Sequence, residues 1–197
     1  IMLLLRTKNN FSDTDKTITL ADVTWEVYLE LSEQNPEYRY SFYKNVITVM
    51  SPSRNHERIK KTIAILIETY CQVEQIQFFA FGSGDIKKSK EVAKQPDESY
   101  CFDNEKDIPD LAIEVVFSSG GVKDLEKYKA LNVKEVWFWE NNQLNIYLKI
   151  DSNYTEALSS SCLPKLSIGF LSKYISQGFN LDNLTIQNKF VKELHNL

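Results

Sequence analysis

Residues 110–117 read Asp-Leu-Ala-Ile-Glu-Val-Val-Phe and are the starting point for predicting the fold. Its large apolar side chains recur at every second position, which predicts a β-strand with Leu111, Ile113 and Val115 on one face. Glu114 lies on the opposite face of this otherwise apolar strand. Because a buried carboxylate is costly unless it is paired or bound to a metal, Glu114 is a candidate functional residue.

The elements around this strand predict a mixed α and β domain. A long helix is predicted after Ser53 from an apolar face with a period of 3.6 residues, formed by Ile59, Ile63, Leu66, Ile67 and Tyr70. The predicted order is one helix, two strands, one helix, three strands, one helix, two strands and two helices. This order is typical of an α/β (α+β) single domain built around one mixed sheet. We expect residues 1–18 to be a loose N-terminal arm and residues 19–197 to be the domain.

Glycine, asparagine and lysine residues mark the predicted connections. Gly120 begins a helix that continues to about Leu131, and Asn141–Asn142 form the turn of a later hairpin. The lysine-rich residues 87–94 are predicted to form a loop.

The charge balance limits how this protein can bind nucleic acid. The 197 residues include 23 Lys and Arg against 27 Asp and Glu, so the formal net charge is −4. A protein that binds phosphates nonspecifically usually has a basic excess, so any nucleic-acid contact must come from a local basic patch or a metal site. The three cysteines fit neither a disulfide framework nor a structural zinc site. No apolar run approaches the ~20 residues needed to span a bilayer, and we expect a cytoplasmic protein without a membrane partner.

A second acid lies near Glu114 in the predicted sheet. Asp97 follows Pro96 on the short segment that neighbours the Glu114 strand. Two carboxylates on adjacent strands can converge on one divalent cation, and oxygen ligands suit Mg²⁺. Acids at strand edges also commonly face solvent, so both arrangements are open. If the two carboxylates converge without a metal, repulsion raises the pKa of at least one of them.

Five short motifs occur in a characteristic order along most of the chain. They are Val49–Pro52, His56–Glu57, Gln95–Tyr100, Pro109–Val115 and Lys127–Trp137. In these motifs the chain resembles a large family of restriction-type endonucleases, formerly a domain of unknown function. That family is strongly expanded in cyanobacteria and is assigned to the PD-(D/E)xK nuclease superfamily. The resemblance extends from about Thr24 to Pro164.

The resemblance implies a restriction-endonuclease-like fold, in which helices flank a mixed β-sheet and the active site lies along adjoining strands. It implies that Asp97 and Glu114 are catalytic acids and metal ligands, and that the backbone carbonyl of Val115 is a further metal ligand. The implied reaction is hydrolysis of DNA phosphodiester bonds, dependent on Mg²⁺ or Mn²⁺. DNA is the expected partner, and a homodimer is compatible with this interpretation.

The chain departs from the family pattern at the catalytic lysine. Val116 stands two residues after Glu114, where the superfamily lysine is usual, and Asp124 stands where relatives carry a lysine on the following helix. Helical geometry brings Lys127 closer than Lys123 to the angular position of Asp124. We therefore expect Lys127 to be the reagent and Lys123 a phosphate contact, with Asp124 as a third acid or an orienting partner. Both lysines can equally be solvated helix residues.

Three further positions are accessory candidates. Ser41 stands where relatives often carry a glutamate, and a hydroxyl is a weaker metal ligand. Glu57 either completes the acidic site or stabilises the helix N-terminus. His56 is a phosphate contact, a general base, or a capping or packing residue. The expected nucleic-acid contacts are basic side chains: Arg54, Arg58, Lys87 and Lys88.

Three functional hypotheses follow from these features. The first is a metal-dependent DNA endonuclease. The second is a catalytically degenerate member that keeps the fold as a module for binding nucleic acid or a protein partner. The third is a scaffold unrelated to nucleic acid. The missing lysine is the feature that separates the first hypothesis from the second.

Overall fold

Two β-sheets, rather than the single sheet predicted, form the framework of this protein. The computed structural model describes residues 14–117 and 120–195. Within these ranges the strands are β1 (Lys16–Leu20), β2 (Arg39–Tyr43), β3 (Val46–Ser51), β4 (Phe78–Ala80), β5 (Ile86–Lys88), β6 (Val92–Lys94), β7 (Glu98–Phe102), β8 (Leu111–Val116), β9 (Glu135–Glu140), β10 (Gln143–Ile150) and β11 (Asn153–Ala157). The α-helices are α1 (Trp25–Gln34), α2 (Arg54–Val73), α3 (Leu125–Leu131), α4 (Ile168–Ile175) and α5 (Asn183–Leu194). The protein therefore has the mixed α+β fold that the sequence predicts.

The larger sheet, which we call the second sheet, contains the Glu114 strand and the main hydrophobic core. Its strand order is β11-β10-β9-β8-β7-β4, with β8 and β9 parallel and the other neighbours antiparallel. Helices α2, α4 and α5 pack on the face that carries Leu111, Ile113 and Val115. Helix α3 packs on the opposite face through Tyr128, which is completely buried. Glu114 points to the α3 side, where Tyr128 contacts it.

The smaller sheet, which we call the first sheet, has the order β1-β3-β2-β6-β5 and is antiparallel throughout. Its apolar face packs against α1 and includes Tyr40, Phe42, Ile47 and Val49. Residues 95–97 run from the end of β6 to the start of β7. This short connection joins the two sheets, and it places Asp97 at their junction.

Two segments predicted to be irregular are strands in the structure. Residues 16–18 of the predicted arm belong to β1, which pairs with β3. Residues 1–13 of that arm lie outside the described residues, and the domain boundary at residue 19 stays a prediction. The predicted lysine-rich loop is the hairpin β5–β6, in which Lys90 takes a positive φ of 62°. A run of lysines does not distinguish a loop from an edge strand, because charged side chains are also typical of exposed edge strands.

The chain turns back over the end of β8 at a glycine. Gly120 has a φ of 103°, which L side chains rarely adopt, and a Cβ there would lie 3.4 Å from Asp124 Oδ2. A single 3-10 turn then leads into α3, which ends at Leu131 as predicted. The predicted turn at Asn141–Asn142 joins β9 to β10 with positive φ at both residues. Among the described residues, no helix has the length and apolar character required to cross a membrane.

Candidate functional site

Two acidic residues lie next to each other where β7 and β8 pair. Glu114 lies within β8. Asp97 directly precedes β7, and its backbone N–H donates to the Ile113 carbonyl oxygen over 3.0 Å. Asp97 Oδ2 accepts a hydrogen bond of 2.7 Å from the backbone N–H of Val115. The structure thus brings the two predicted acids to adjacent positions on neighbouring segments of chain.

Asp97 belongs to a buried group of charges that we call the sealed cluster: Asp15, His56 and Asp97. The completely buried imidazole of His56 bridges two carboxylates, with Nε2 2.8 Å from Asp97 Oδ1 and Nδ1 3.0 Å from Asp15 Oδ2. Burial lowers the pKa of His56, but hydrogen bonds to Asp15 and Asp97 outweigh burial and raise that pKa to about 10. At neutral pH His56 is therefore an imidazolium that holds both carboxylates in their ionised form.

Glu114 belongs to a second group of charges that we call the open cluster: Lys94, Glu114, Asp124 and Lys127. The Lys94 ammonium contacts Glu114 Oε1 at 2.8 Å and Asp124 Oδ2 at 3.1 Å. The Lys127 ammonium donates to Asp124 Oδ1 over 2.7 Å and to the Ser41 hydroxyl over 2.9 Å. These contacts form a row of alternating charges that begins on β8 and ends on α3.

Burial and like charges together set the protonation of the open cluster. Burial raises the pKa of Glu114 to about 7, with Asp97 and Asp124 adding to the rise and Lys94 opposing it. The expected repulsion between the acids is therefore present, although burial contributes more to the shift. Burial disfavours the charged form of Lys94, but Asp124 and Glu114 outweigh burial and raise its pKa. Lys94 consequently remains an ammonium at neutral pH.

The open cluster lines a cavity of about 430 Å³ whose walls come from both sheets and from the turn after β8. The two carboxylate oxygens of Glu114 differ in their contacts. Lys94 and the Tyr128 hydroxyl both contact Oε1, whereas Oε2 makes no hydrogen bond to the described residues. Asp97 and His56 do not line the cavity. The open cluster is thus the part of the site that a substrate can reach.

The structure separates the other predicted site residues into two groups. The cavity lining includes Ser41, Lys123, Asp124 and Lys127. Glu57 is not part of that lining, and it forms ion pairs of 3.7 Å with Arg39 and 3.3 Å with Lys60. Val116 does line the cavity, so the position of the missing superfamily lysine faces the site although its side chain is apolar.

The four basic residues predicted to contact nucleic acid lie outside the cavity lining. Lys87 and Lys88 stand on the edge strand β5, where each forms an ion pair with a neighbouring acid. Arg58 donates to a backbone carbonyl in the segment before α5. Arg54 is exposed in the first turn of α2. The roles of these four side chains stay predictions.

The sequence assigned no role to Tyr128 or Asp15, and it placed Lys94 only among the lysine-rich residues 87–94. Lys94 was placed in a predicted loop, whereas it is buried at the end of β6. Its position three residues before Asp97, in Lys-Gln-Pro-Asp, is the signal that marks it as a neighbour of the acids. Tyr128 belongs to a family motif but gave no sign of contacting Glu114. Asp15 is distant in sequence from its partners, and no local pattern marks it.

The site offers carboxylate and carbonyl oxygens, which are the types of ligand that Mg²⁺ prefers. Within residues 14–117 and 120–195, no group of three or more His, Cys, Asp and Glu side chains is placed to hold a metal ion. Mg²⁺ needs fewer protein ligands, because it keeps several waters and is often held by one or two carboxylates together with substrate phosphates. Glu114 and the Val115 backbone lie at the cavity, and the Val115 N–H donates to Asp97, whose two oxygens each already accept one hydrogen bond. The donor set fits a partly hydrated ion.

The fold is similar to that of a solved structure from Anabaena variabilis, a cyanobacterium, described as a putative nuclease belonging to DUF820. The two chains are 15% identical, with a TM-score of 0.52, and the match covers 78% of this chain and 99% of that one. The two proteins therefore share a mixed α+β fold. A family model matches residues 25–169, and the chain belongs to that family, Uma2, described as "Putative restriction endonuclease". No curated protein matches the chain.

Proposed function

We propose that this protein is a metal-dependent endonuclease that hydrolyses phosphodiester bonds of DNA in the cavity beside the open cluster. Lys94 is the observation that carries the proposal, because its ammonium lies 2.8 Å from Glu114 at the cavity wall. Lys94 thus places an ammonium next to Glu114, although position 116, where the superfamily lysine is usual, is a valine. The family membership and the nuclease-like fold support the same function.

The two acids have different tasks in this proposal. Glu114, Asp97 and the backbone carbonyl of Val115 would hold Mg²⁺ or Mn²⁺, and the bound ion would polarise the scissile phosphate and lower the pKa of the attacking water. Both oxygens of Asp97 accept hydrogen bonds, so its carboxylate is ionised and fixed in orientation. Glu114, with a pKa of about 7, is the acid whose charge responds most to a cation beside it.

Lys94 acts as a fixed positive charge. In the hydrolysis, the water oxygen bonds to phosphorus, one phosphorus–oxygen ester bond breaks, and negative charge grows on the phosphoryl oxygens. A preorganised ammonium in a partly buried site stabilises that charge. Lys127 supports Lys94 through their shared contact with Asp124. Lys123 is exposed at the cavity and suits a contact with a flanking phosphate.

Cleavage of supercoiled plasmid DNA tests this proposal. The protein is incubated with plasmid in Mg²⁺, in Mn²⁺ and in EDTA, alongside Asp97→Asn, Glu114→Gln and the matched control Glu33→Gln. Glu33 is exposed on α1 and lies outside the cavity lining, so its variant removes one carboxylate without touching either cluster. We expect nicking in either metal by the natural protein and by Glu33→Gln. We expect a loss of about 10²- to 10³-fold in Glu114→Gln, because a ligand for transition-state stabilisation is removed.

The contrary outcomes separate the remaining hypotheses. Nicking that persists unchanged in Asp97→Asn and Glu114→Gln would show that a contaminant is responsible. Absence of nicking in every metal would favour the degenerate module, in which the same fold only binds nucleic acid or a protein.

A further inference from the structure

The first sheet has two unlike faces. One face is apolar and packs against α1. On the other face, residues paired across four neighbouring strands form a polar row, in the order Thr19, Thr48, Ser41 and Lys94. Directly paired residues in an antiparallel sheet project to the same side. All four residues line the cavity of the open cluster, so the row leads across the sheet to Glu114.

A second row on the same face ends in an arginine whose Nε atom has no hydrogen-bond acceptor within the described part of the chain. Arg39 pairs with Met50, and Met50 pairs with Thr17; all three line the cavity. The Arg39 Nε atom is buried and has no hydrogen-bond partner among the described residues, and its guanidinium forms an ion pair of 3.7 Å with Glu57. A buried donor without an acceptor is costly, so the interior does not saturate this guanidinium. The Arg39 side chain is 21% exposed at the cavity, where an anionic oxygen can contact it.

The charge of the cavity wall is opposite to that of the whole protein. Four cationic side chains line the cavity, namely Arg39, Lys94, Lys123 and Lys127, against two carboxylates, Glu114 and Asp124. The chain as a whole has a net charge of −4. An anionic polymer is therefore attracted to this wall while the remaining surface is on balance acidic.

We propose that this face of the first sheet binds the sugar–phosphate backbone of the DNA strand that is cut. The inference rests on the proposed function and names the subsite that positions its substrate. Threonine and serine hydroxyls and an arginine fork are donors to phosphate oxygens, and such contacts fix a duplex or strand without reading its sequence. The polar row directs the backbone toward Glu114 and Lys94. Recognition at this wall is therefore independent of base sequence.

Binding in EDTA tests this inference separately from cleavage. Affinity for fluorescein-labelled DNA oligonucleotides of several unrelated sequences is measured by fluorescence anisotropy, over a series of salt concentrations. The variants are Arg39→Gln and Thr48→Val, and the thermal midpoint of each is recorded. The matched controls are Lys165→Gln and Thr155→Val, which make the same kinds of change at exposed positions outside the cavity lining.

We expect Arg39→Gln to weaken binding about tenfold on every sequence, because a charge-assisted hydrogen bond is lost. The plot of the logarithm of affinity against the logarithm of salt concentration should become shallower by about one unit of slope, since one phosphate contact is removed. Thr48→Val should weaken binding about threefold, while both controls bind like the natural protein.

Cavity-wall variants that bind as well as their controls, or that lose affinity for one sequence only, would overturn the inference. The same is true if the natural protein does not bind DNA. Binding that depends on Arg39 in a protein without metal-dependent nicking would leave the inference standing and overturn the proposed function alone.

Discussion

The sealed cluster and the open cluster both combine carboxylates with cationic side chains, yet they differ in how many of their carboxylate oxygens have a partner. In the sealed cluster one imidazolium lies between two carboxylates, and Asp97 has a hydrogen bond to each of its oxygens. In the open cluster Glu114 has one occupied and one available oxygen beside a cavity. The contrast indicates that the sealed cluster fixes the charge and orientation of Asp97, whereas the open cluster presents its charges to a cavity.

Position in the fold explains this contrast. The sealed cluster lies where the start of α2, the segment before β1 and the start of β7 meet, and its three side chains are almost fully buried. The open cluster joins β6, β8 and α3 across a cavity. A charge that is fully paired in the interior contributes to one fixed structure. A charge that faces a cavity can exchange its partner for a ligand.

Removal of the central cation should affect the sealed cluster most. We expect His56→Ala to lower the free energy of unfolding by about 3–5 kcal/mol, because two buried carboxylates lose their shared partner. Urea unfolding at neutral pH measures this change. Glu114→Gln is the matched variant in the open cluster, and we expect a smaller loss of stability because Asp124 still accepts the charge of Lys94. Equal losses in the two variants would remove the distinction between the clusters.

The pH dependence of stability provides a second comparison. The pKa of His56 is about 10 in the folded protein against 6.5 for the free side chain, so the folded state binds the proton more tightly. Its contribution to stability is complete below about pH 6.5 and is lost as the pH rises toward 10. The free energy of unfolding should therefore fall across this interval in the natural protein and fall less in His56→Ala. A parallel pH profile for the two proteins would contradict the assignment of an imidazolium.

Lys127 should matter less than Lys94 within the open cluster. We expect Lys127→Met to slow plasmid nicking about tenfold, because Asp124 then interacts with Lys94 alone and draws its ammonium away from Glu114. Single-turnover nicking in Mg²⁺ measures the effect. Lys129→Met is the control, since it makes the same change on α3 at a lysine that lies outside the cavity lining and contacts Asn153. A complete loss of nicking in Lys127→Met would assign the reagent role to Lys127, as the sequence first indicates.

The smallest effects are expected at the edge of the first sheet. Lys87 and Lys88 are already paired with Asp85 and Glu91, and neither lies in the cavity lining. We expect Lys87→Gln and Lys88→Gln to change DNA affinity less than twofold, measured by fluorescence anisotropy, which is within the small range of exposed ion pairs. A loss as large as that of Arg39→Gln would extend the nucleic-acid surface to this edge.

Local patterns predicted much of the second sheet and its two acids. Alternation identified β8, the 3.6-residue period identified α2, and two asparagines identified the β9–β10 turn. The pairing of His56 with Asp15 could not be predicted, because it joins segments that are distant in sequence and depends on where β1 docks. The burial of Lys94 was not predicted, because a lysine side chain disfavours burial on its own. It is buried here only because Glu114 and Asp124 accept its charge.

Our main claim, that the Lys94 ammonium stabilises the transition state, is decided by the nicking rate of Lys94→Met. Single-turnover nicking of supercoiled plasmid in Mg²⁺ is compared among the natural protein, Lys94→Met and Lys94→Met combined with Val116→Lys, with thermal midpoints recorded for all three. We predict a rate about 10²- to 10³-fold lower in Lys94→Met, because a preorganised charge is lost from the transition state. We also predict partial recovery in the double variant, because position 116 lines the same cavity two residues after Glu114. A Lys94→Met protein that nicks at the natural rate would contradict the claim.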